Sequence, residues 1–404
     1  MGGRRYSHAA VAPAIYLETY GCQMNFADAE LILGRVGESG YTRTTDPAAA
    51  DVILLNTCAI REHAEERVVG RLTDLARLKA TRPGLVLGMS GCMAQHHRAA
   101  VTQRVPMLDL VIGPDAYRRL PGLLDAVRTN NLPITDFRDA VDDDPNDPAY
   151  RDRDRTMTDV RLDPEETYAD LRSARTPGAV RAWITVMRGC DKFCTFCVVP
   201  YVRGRERSLP VEAVMREVRA VVADGAREVV FLGQTVNAYR DGRGRSLSEL
   251  LVATSGIDGI ERIRFTTSHP AQMTERLMDA MATARPKLCP YLHLPVQSGS
   301  SAVLRAMRRG YDRQTYLAKI AGLRSRMPDL AFGTDVIVGF PTETEADFQE
   351  TLTLLSEVSF DTVYSFTYSA RPGTAAERFS SNGALFPSRP FFLRKDSDVL
   401  TAIR

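Results

Sequence analysis

The cysteines of this 404-residue chain constrain it more than any other residue type, because six of the seven form two sets of three. The compact set has C-x3-C-x2-C spacing and consists of Cys190, Cys194 and Cys197. The dispersed set occupies the N-terminal third and consists of Cys22, Cys58 and Cys92. Each cysteine of the dispersed set closes a short apolar run, which is typical of a buried strand. The sequence therefore predicts two groups of thiols, one on a single loop and one at the ends of strands.

Three thiolates are one fewer than structural zinc or an electron-carrying cluster takes. A cubane iron–sulfur cluster held by three cysteines keeps one iron open to a further ligand. Two other interpretations of these thiols are buried core residues and a zinc site. Buried core thiols would not require this spacing, and zinc would need a fourth ligand, whereas the histidine nearest to the compact set, His269, lies far along the chain. The spacing therefore favours two open clusters and catalytic chemistry.

Composition limits the partners and the cellular location that are expected for this chemistry. The net charge is only +2, so a basic surface for nucleic acid has to be local. No apolar run approaches the length of a membrane span, and the first residues, Met1–Ala14, contain arginines but no apolar signal segment. We therefore expect a cytoplasmic protein that contacts no membrane and keeps its thiols reduced.

The N-terminal part, from residue 15 to about 130, alternates strand-like and helix-like stretches. The predicted strands are Ile15–Cys22, Val52–Cys58, Leu85–Cys92 and Leu108–Gly113, and the predicted helices are Asp28–Ser39 and Glu62–Ala80. This alternation predicts an open parallel α/β sheet. Since the carboxyl ends of parallel strands meet at one edge, the dispersed set should converge there.

A second alternation begins at Ala182 and predicts a partial (β/α)6 barrel. Its predicted strands are Ala182–Met187, Glu228–Leu232, Ile263–Thr267, Tyr291–Pro295, Phe332–Val338 and Asp361–Thr367. Residues 136–178, rich in Asp, Arg and Pro, are expected to be a charged linker. The expected domains are thus residues 1–135, the barrel at 179–376, and an irregular tail at 377–404.

The compact set, opening a six-unit α/β barrel, resembles the radical S-adenosylmethionine superfamily. The resemblance implies that the open iron binds S-adenosylmethionine and that reduction cleaves it to methionine and a 5′-deoxyadenosyl radical, with the protein positioning the cofactor. It also implies cofactor-binding roles after three of the predicted barrel strands. The residues expected to have these roles are Gly233, Gln234, Gln297, Ser298, Val338 and Gly339.

The dispersed set extends the resemblance to the methylthiotransferases, which carry similar motifs around it: Tyr20–Asn25, Asn56–Arg61 and Ser90–Ala94. The runs Cys194–Ser208, Gly233–Tyr239, Thr267–Pro270 and His293–Gly299 are similar to the tRNA-modifying branch. The resemblance implies two [4Fe–4S] clusters per chain, the second held by Cys22, Cys58 and Cys92 and carrying the sulfur. It further implies two molecules of S-adenosylmethionine per turnover and a tRNA substrate carrying isopentenyladenosine beside the anticodon. A flavodoxin or ferredoxin as electron donor and a monomeric enzyme complete these expectations.

Other targets stay open on sequence grounds: a threonylcarbamoylated adenosine, a ribosomal-protein aspartate, or a non-catalytic iron–sulfur or RNA-binding role. Arg203, Arg205 and Arg207 are candidate contacts for tRNA phosphates, although a short charged loop is commonly just solvated. His269 and His293, at strand ends, are expected to be hydrogen-bonded supporting groups, while Cys289 and Trp183 should be buried. The resemblance fades after Ala376, so the family's small RNA-binding β-domain is expected to be missing and tRNA binding weak.

Overall fold

The computed structural model describes residues 12–59, 62–97, 99–129, 156–176 and 178–381. The chain divides into two compact units, and we describe each by itself. The N-terminal unit runs to Asp163 and takes in Asp170–Ala174, while the C-terminal unit consists of Pro164–Ala169 and the residues from Arg175 onward. Much of the expected linker, residues 136–155, and the expected tail beyond residue 381 lie outside the described residues.

The N-terminal unit contains a six-stranded, fully parallel sheet in the order β2-β1-β3-β4-β5-β6. Its strands are β1 (Ala14–Thr19), β2 (Thr42–Arg43), β3 (Val52–Thr57), β4 (Val86–Gly91), β5 (Leu110–Ile112) and β6 (Met157–Asp159). Its helices are α1 (Gln23–Gly37), α2 (Glu62–Ala76), α3 (Cys92–His97), α4 (Ala99–Arg104) and α5 (Leu120–Arg128). Every residue of β3 and β4 is buried, which is typical of parallel strands covered on both faces. The predicted open parallel sheet is confirmed.

Strand β6 lies within the stretch expected to be a linker and pairs with β5, Leu110 opposite Met157. Its charged residue, Asp159, is only 1% exposed, yet it accepts hydrogen bonds from Arg119 at 2.6 Å and Arg161 at 3.2 Å. Burial alone would raise the pKa of the Asp159 carboxyl, but these two guanidinium groups hold it below its ordinary value. Because the charge of Asp159 is neutralised by Arg119 and Arg161, this Asp- and Arg-rich segment can add the buried edge strand β6 to the sheet.

The C-terminal unit contains two three-stranded parallel sheets, in the orders β7-β10-β11 and β12-β13-β14. These strands are β7 (Arg181–Thr185), β10 (Glu228–Leu232), β11 (Arg262–Phe265), β12 (Tyr291–His293), β13 (Ala331–Val338) and β14 (Thr362–Thr367). A short antiparallel pair, β8 (Met187–Arg188) and β9 (Arg207–Ser208), follows β7. Backbone hydrogen bonds from Ile263 to Lys287 and from Cys289 to Ile263 join the two sheets. Six parallel strands therefore follow one another in chain order, as the predicted partial barrel requires.

Helices separate these strands: α6 (Val199–Arg203), α7 (Val211–Ala223), α8 (Leu247–Ser255), α9 (Glu275–Thr283), α10 (Ser301–Ala306), α11 (Arg313–Arg326), α12 (Glu345–Val358) and α13 (Glu377–Ser381). A large apolar core that includes Ile184, Phe231 and Phe332 packs the unit, and a smaller cluster is formed by Val303, Met307, Phe340 and Ala376. The expectation for Trp183 was wrong, because on β7 it alternates with the buried Ala182 and Ile184 and stays half-exposed. Cys289 is buried, as predicted. Among the described helices, none combines the length and apolarity needed to cross a bilayer.

Candidate iron–sulfur and cofactor sites

The dispersed set lies along one edge of the N-terminal sheet. Cys22 caps α1 directly after β1, Cys58 follows β3, and Cys92 begins α3 directly after β4. Strand β3 lies between β1 and β4, so the three cysteines follow three neighbouring strands at their carboxyl ends. The predicted convergence is therefore found in the fold.

Glycines allow the loops of this set to approach one another. A Cβ placed on Gly21, whose φ is +126°, would lie 2.5 Å from Cys58 Cβ and 3.3 Å from its sulfur. A Cβ placed on Gly91, with φ +92°, would lie 2.5 Å from the Thr57 carbonyl oxygen. Both positions require a left-handed backbone and the absence of a side chain. Gly21 and Gly91, which immediately precede Cys22 and Cys92, thus pack against the end of β3 where a side chain would not fit.

A buried polar network ties the same loops together. Asn25 donates to the Thr57 carbonyl at 2.8 Å, Asn56 donates to the Asn25 carbonyl at 2.7 Å, and the Thr57 hydroxyl donates to the Ser90 carbonyl at 2.6 Å. The Cys22 thiol lies 3.5 Å from Asn25 Oδ1. All four network residues are fully buried. Asn25 and Asn56 lie within the sequence motifs, but the sequence alone predicts no role for them. The side chain of Asn25 bonds 32 residues away and that of Asn56 bonds 31 residues away.

The compact set occupies the loop after β8. A Cβ on Gly189, with φ +78°, would overlap the Arg205 carbonyl, and the Cys190 backbone N–H donates to the Gly204 carbonyl at 3.1 Å. Cys190 and Cys194 are each 8% exposed, and Cys197 is less buried. Burial raises the pKa of the Cys190 thiol and that of Cys197, the latter to about 12. Metal binding at this loop therefore has to displace protons from the thiols.

Two residues outside the predicted set contact these sulfurs. The Thr235 hydroxyl lies 3.1 Å from Cys190 Sγ, and Arg309 Nη1 donates to Cys194 Sγ at 3.2 Å. Arg309 is 6% exposed, and its other nitrogens donate to the Tyr311 hydroxyl at 3.1 Å and the Pro295 carbonyl at 3.2 Å. Sequence reasoning missed Arg309 because it lies 115 positions from Cys194. Arg309 thus holds a buried positive charge against the sulfur of Cys194.

The number of thiols bears on which metal group fits each set. Structural zinc takes four ligands, whereas each set offers three thiols. In a cubane each thiolate binds a different iron, so three thiols leave one iron open. A separate group of possible metal ligands, Glu65, His96 and His97, brings its ligand atoms within 4.8 Å of one another, and in it His97 Nε2 and Glu65 Oε2 form a hydrogen-bonded pair at 3.0 Å.

Gly233 and Gln234, two of the residues predicted to bind the cofactor, follow β10. The side-chain oxygen of Gln234 accepts the Gly189 N–H at 2.6 Å, and the Gly233 carbonyl accepts the Thr267 hydroxyl. Gln234 therefore also anchors the loop that carries the compact set. Because the side chain of Met187 occupies the space beside Gly233, that position has no room for a Cβ.

The remaining predicted cofactor residues lie around β13. Gln297, with φ +75°, pairs through its backbone with Asp335 and Ile337, both at 2.9 Å. Ser298 is fully buried, and its hydroxyl lies 3.3 Å from that of Thr351, so packing against α12 already engages it. Val338 ends β13. Binding roles for these residues stay predictions.

Gly339, directly after Val338, has φ +76° and donates its N–H to Glu343 Oε2 at 2.5 Å. Glu343, which sequence reasoning missed, is 7% exposed, and burial raises its pKa to about 7. Its second oxygen, Oε1, has no hydrogen-bond partner among the described residues. Glu343 therefore supports the turn after β13 as a buried carboxyl.

The candidate phosphate contacts differ in exposure. Arg203 and Arg207 are 2% and 8% exposed, and Arg207 donates to the Arg203 carbonyl at 2.8 Å. Arg205 alone of the three is exposed, and it donates to Asp191 at 2.6 and 3.2 Å. Of the three candidate phosphate contacts, Arg203 and Arg207 are therefore buried, because the segment folds their side chains inward. A phosphate contact stays a prediction for Arg205.

Comparison with known proteins agrees with this geometry. The model of the Radical SAM superfamily matches residues 184–355, and that of Uncharacterized protein family UPF0004 matches residues 14–113. The chain is 44% identical over 372 residues to the tRNA-2-methylthio-N(6)-dimethylallyladenosine synthase of Chloroherpeton thalassium, covering 92% of this chain and 77% of that protein. It is 45% identical to the synthase of the same name from Ruegeria sp., covering 90% and 78%.

Among solved structures, the chain resembles the radical S-adenosylmethionine methyltransferase TsrM from Kitasatospora setae. The TM-score is 0.63 at 14% identity, and the match covers 90% of this chain and 74% of that one. At this identity the likeness concerns the fold alone. The relatives with over 40% identity, by contrast, confirm the resemblance drawn from the cysteine motifs. The chain therefore belongs to the radical S-adenosylmethionine methylthiotransferases, in the family of the tRNA-2-methylthio-N(6)-dimethylallyladenosine synthases.

Proposed function

We propose that this protein is a tRNA methylthiotransferase that places a methylthio group on C2 of N6-isopentenyladenosine beside the anticodon. One observation carries the proposal: both cysteine sets are present, one on a single loop and one at the ends of three neighbouring strands, in a chain 44% identical to a synthase of that activity. The relatives are synthases of the dimethylallyl, or isopentenyl, adenosine rather than of a threonylcarbamoylated one, which supports this target.

We further propose that each cysteine set holds one [4Fe–4S] cluster. Bound at the compact set, the cluster would supply reductive cleavage of S-adenosylmethionine, and at the dispersed set it would carry the sulfur to be inserted. Two molecules of S-adenosylmethionine per turnover, one as methyl donor and one as radical source, belong to this proposal. So do a flavodoxin or ferredoxin as electron donor, a monomeric enzyme and a cytoplasmic location, where thiols stay reduced.

The chain's own residues prepare these sites. The Thr235 hydroxyl contacts the sulfur of Cys190, and Arg309 donates to the sulfur of Cys194, so both sulfurs are held in place. Burial of the loop limits the access of water to Cys190 and Cys194. Since a radical that abstracts hydrogen must be kept from side reactions, such exclusion suits the proposed chemistry.

The test is nucleoside analysis of tRNA from a strain that lacks its own synthase and carries this chain. We expect 2-methylthio-N6-isopentenyladenosine to appear with the wild type and with Cys289→Ala, a matched control because Cys289 is a buried thiol outside both sets. We expect none with Cys190→Ala, Cys194→Ala, Cys197→Ala. A 2-methylthio product on threonylcarbamoyladenosine would overturn the choice of target, and the absence of any methylthio product with the wild type would overturn the catalytic assignment.

A further inference from the structure

The turn after β11 presents a buried histidine that the function described so far does not use. Thr267, a β-branched residue, has φ +66° and donates its hydroxyl to the Gly233 carbonyl. The two residues that follow, Ser268 and His269, are 5% and 6% exposed. Among the described residues, neither the Ser268 hydroxyl nor His269 Nε2 has a hydrogen-bond partner. Buried polar atoms without a partner are uncommon and call for a ligand or an ordered water.

The hydrogen bonds around His269 define which ring nitrogen carries the proton. Nδ1 accepts the Ala271 backbone N–H at 3.2 Å, so in the neutral ring the proton resides on Nε2. Burial, together with the nearby charges of Arg309 and Lys192, lowers the pKa of His269 to about 2. The ring therefore presents a neutral, buried N–H donor.

The position of this donor relates it to the compact set. The His269 ring meets the Tyr311 ring edge to face, with centroids 5.7 Å apart. The Tyr311 hydroxyl accepts from Arg309 Nε at 3.1 Å, and Arg309 Nη1 in turn donates to Cys194 Sγ at 3.2 Å. The backbone of His269 is fixed by Asn237, which exchanges hydrogen bonds with it at 2.8 and 2.9 Å. The backbone of His269 is thus fixed, and the side chains of Tyr311 and Arg309 connect its ring to Cys194, a candidate cluster ligand.

The charges around His269 favour an anionic acceptor. Lys192 is itself paired with Glu206 at 3.3 Å, so the buried guanidinium of Arg309 is the charge near the His269 ring that would attract a negative group. S-adenosylmethionine carries a single anionic group, its carboxylate, whereas its sulfonium and ammonium groups would be repelled. The cysteine sulfurs are a poorer match, because each already has a partner: the Thr235 hydroxyl for Cys190, Arg309 for Cys194 and the Val199 backbone N–H for Cys197.

We propose that His269 Nε2–H donates a hydrogen bond to the carboxylate of S-adenosylmethionine bound at the compact set. The inference rests on the proposed function, since it requires that this loop hold a cluster and its cofactor. It adds a binding residue at the end of β11, outside the strands to which the sequence motifs assigned the cofactor.

Two substitutions separate binding from a structural role. In His269→Asn the side-chain oxygen can replace Nδ1 and keep the bond to Ala271, but nothing reaches the position of Nε2. In His269→Gln the amide nitrogen can reach the position of Nε2, but the acceptor for Ala271 is lost. Affinity for S-adenosylmethionine is measured by anaerobic equilibrium dialysis of the reconstituted, unreduced full chain, so that the readout does not depend on turnover.

We expect His269→Asn to weaken binding about tenfold to a hundredfold, as for loss of one hydrogen bond to a charged group, and His269→Gln to weaken it by less than about threefold. Iron content and the thermal midpoint of each variant report whether it is folded and loaded. Wild-type affinity in the loaded His269→Asn variant would overturn the proposal, as would equal losses in both variants. If the loaded wild type fails to bind S-adenosylmethionine at all, the proposed function fails rather than the role of His269.

A second measurement distinguishes the carboxylate from the cluster as acceptor. Electron paramagnetic resonance of the reduced compact-set cluster is recorded in the Cys22→Ala, Cys58→Ala, Cys92→Ala background, which removes the signal of the dispersed set. We expect His269→Asn to leave the spectrum unchanged without S-adenosylmethionine and to diminish the change caused by adding it. A spectrum already altered without S-adenosylmethionine would assign the hydrogen bond to the cluster and overturn the proposal.

Discussion

At the scale of single residues, a buried positive charge lies beside the compact set. It belongs to Arg309, which is 6% exposed and donates from Nη1 to Cys194 Sγ at 3.2 Å. A positive charge and a hydrogen bond at a cluster sulfur both stabilise the reduced state, which carries one more electron. Arg309 should therefore raise the reduction potential of a cluster bound there.

Replacing Arg309 with Met tests this effect. We expect Arg309→Met to lower the reduction potential by on the order of 50 mV, the equivalent of about tenfold in a one-electron equilibrium. Arg309→Lys should give a smaller decrease, since it keeps the charge but not the planar fork. The reduction potential of each variant is measured by redox titration monitored by electron paramagnetic resonance. Arg305→Met, the same change at an exposed position of α10, is the control. Equal potentials for Arg309→Met and the control would rule the effect out.

The buried carboxyl of Glu343 makes stability depend on pH. Its pKa rises from 4.5 to about 7 because of burial, so the folded state favours the protonated form. The associated stabilisation is complete below pH 4.5 and is lost as pH rises through 7, up to about 3 kcal/mol in total. Relative to Glu343→Gln, the wild type should therefore lose stability between pH 5 and 8 in urea unfolding. Curves that stay parallel across this range would contradict the prediction.

At the scale of elements, the ends of β1, β3 and β4 are shaped by the two glycines that precede Cys22 and Cys92. Both glycines have positive φ, and a Cβ placed on either would lie 2.5 Å from an atom at the end of β3, Cys58 Cβ for Gly21 and the Thr57 carbonyl oxygen for Gly91. A side chain at either position would push its loop, and with it a cysteine, away from Cys58. The sheet edge is thus specific for loops that carry a Gly-Cys pair.

Substituting either glycine should disable the dispersed set selectively. We expect Gly21→Ala, and likewise Gly91→Ala, to reduce iron after anaerobic reconstitution by about half, because only one of two four-iron clusters is affected. Cleavage of S-adenosylmethionine should persist. Gly70→Ala in α2, where a Cβ meets nothing within 4 Å, should keep all the iron. Full iron content in Gly21→Ala would show that the loop tolerates the displacement.

Element boundaries also show what the sequence could predict. Strand β10, Glu228–Leu232, matches the prediction residue for residue, because its apolar run is bounded by clear turn signals. Strand β6 escaped prediction, since its Asp159 is neutralised in part by Arg119, a residue 40 positions away in sequence. Helix α1 begins at Gln23 rather than at Asp28, because the Cys22 carbonyl already accepts the N–H groups of Asn25 and Phe26, at 2.9 and 3.4 Å. The six cysteines were found from spacing, whereas Thr235, Arg309 and Glu343 depend on tertiary contacts that no local pattern reveals.

At the scale of the whole molecule, the two cysteine sets belong to different compact units, each with its own sheet and core. The core around β3 and β4 contains none of the residues that pack the barrel strands. Each unit should therefore be able to keep its metal site when the cysteines of the other are removed.

Iron counting and product analysis test this independence. The wild type should hold about eight irons per chain, and Cys190→Ala, Cys194→Ala, Cys197→Ala about four. The Cys22→Ala, Cys58→Ala, Cys92→Ala variant should still release 5′-deoxyadenosine from S-adenosylmethionine but form no methylthio product. Loss of cleavage in that variant, or saturation of the wild type at about four irons, would mean that the sites are not independent.

The two units are interleaved along the chain, which affects how the protein can be divided or recombined. Pro164–Ala169 belongs to the C-terminal unit, yet Asp170–Ala174 returns to the N-terminal one, where the Ala174 N–H donates to the Glu30 carbonyl of α1 at 2.8 Å. The Arg172 carbonyl also occupies the space beside Gly34. A single cut after Asp163 would strip α1 of this cover, and a cut after Ala174 would strip the barrel of Pro164–Ala169. Chimaeras that exchange one unit between relatives consequently need three crossover points rather than one.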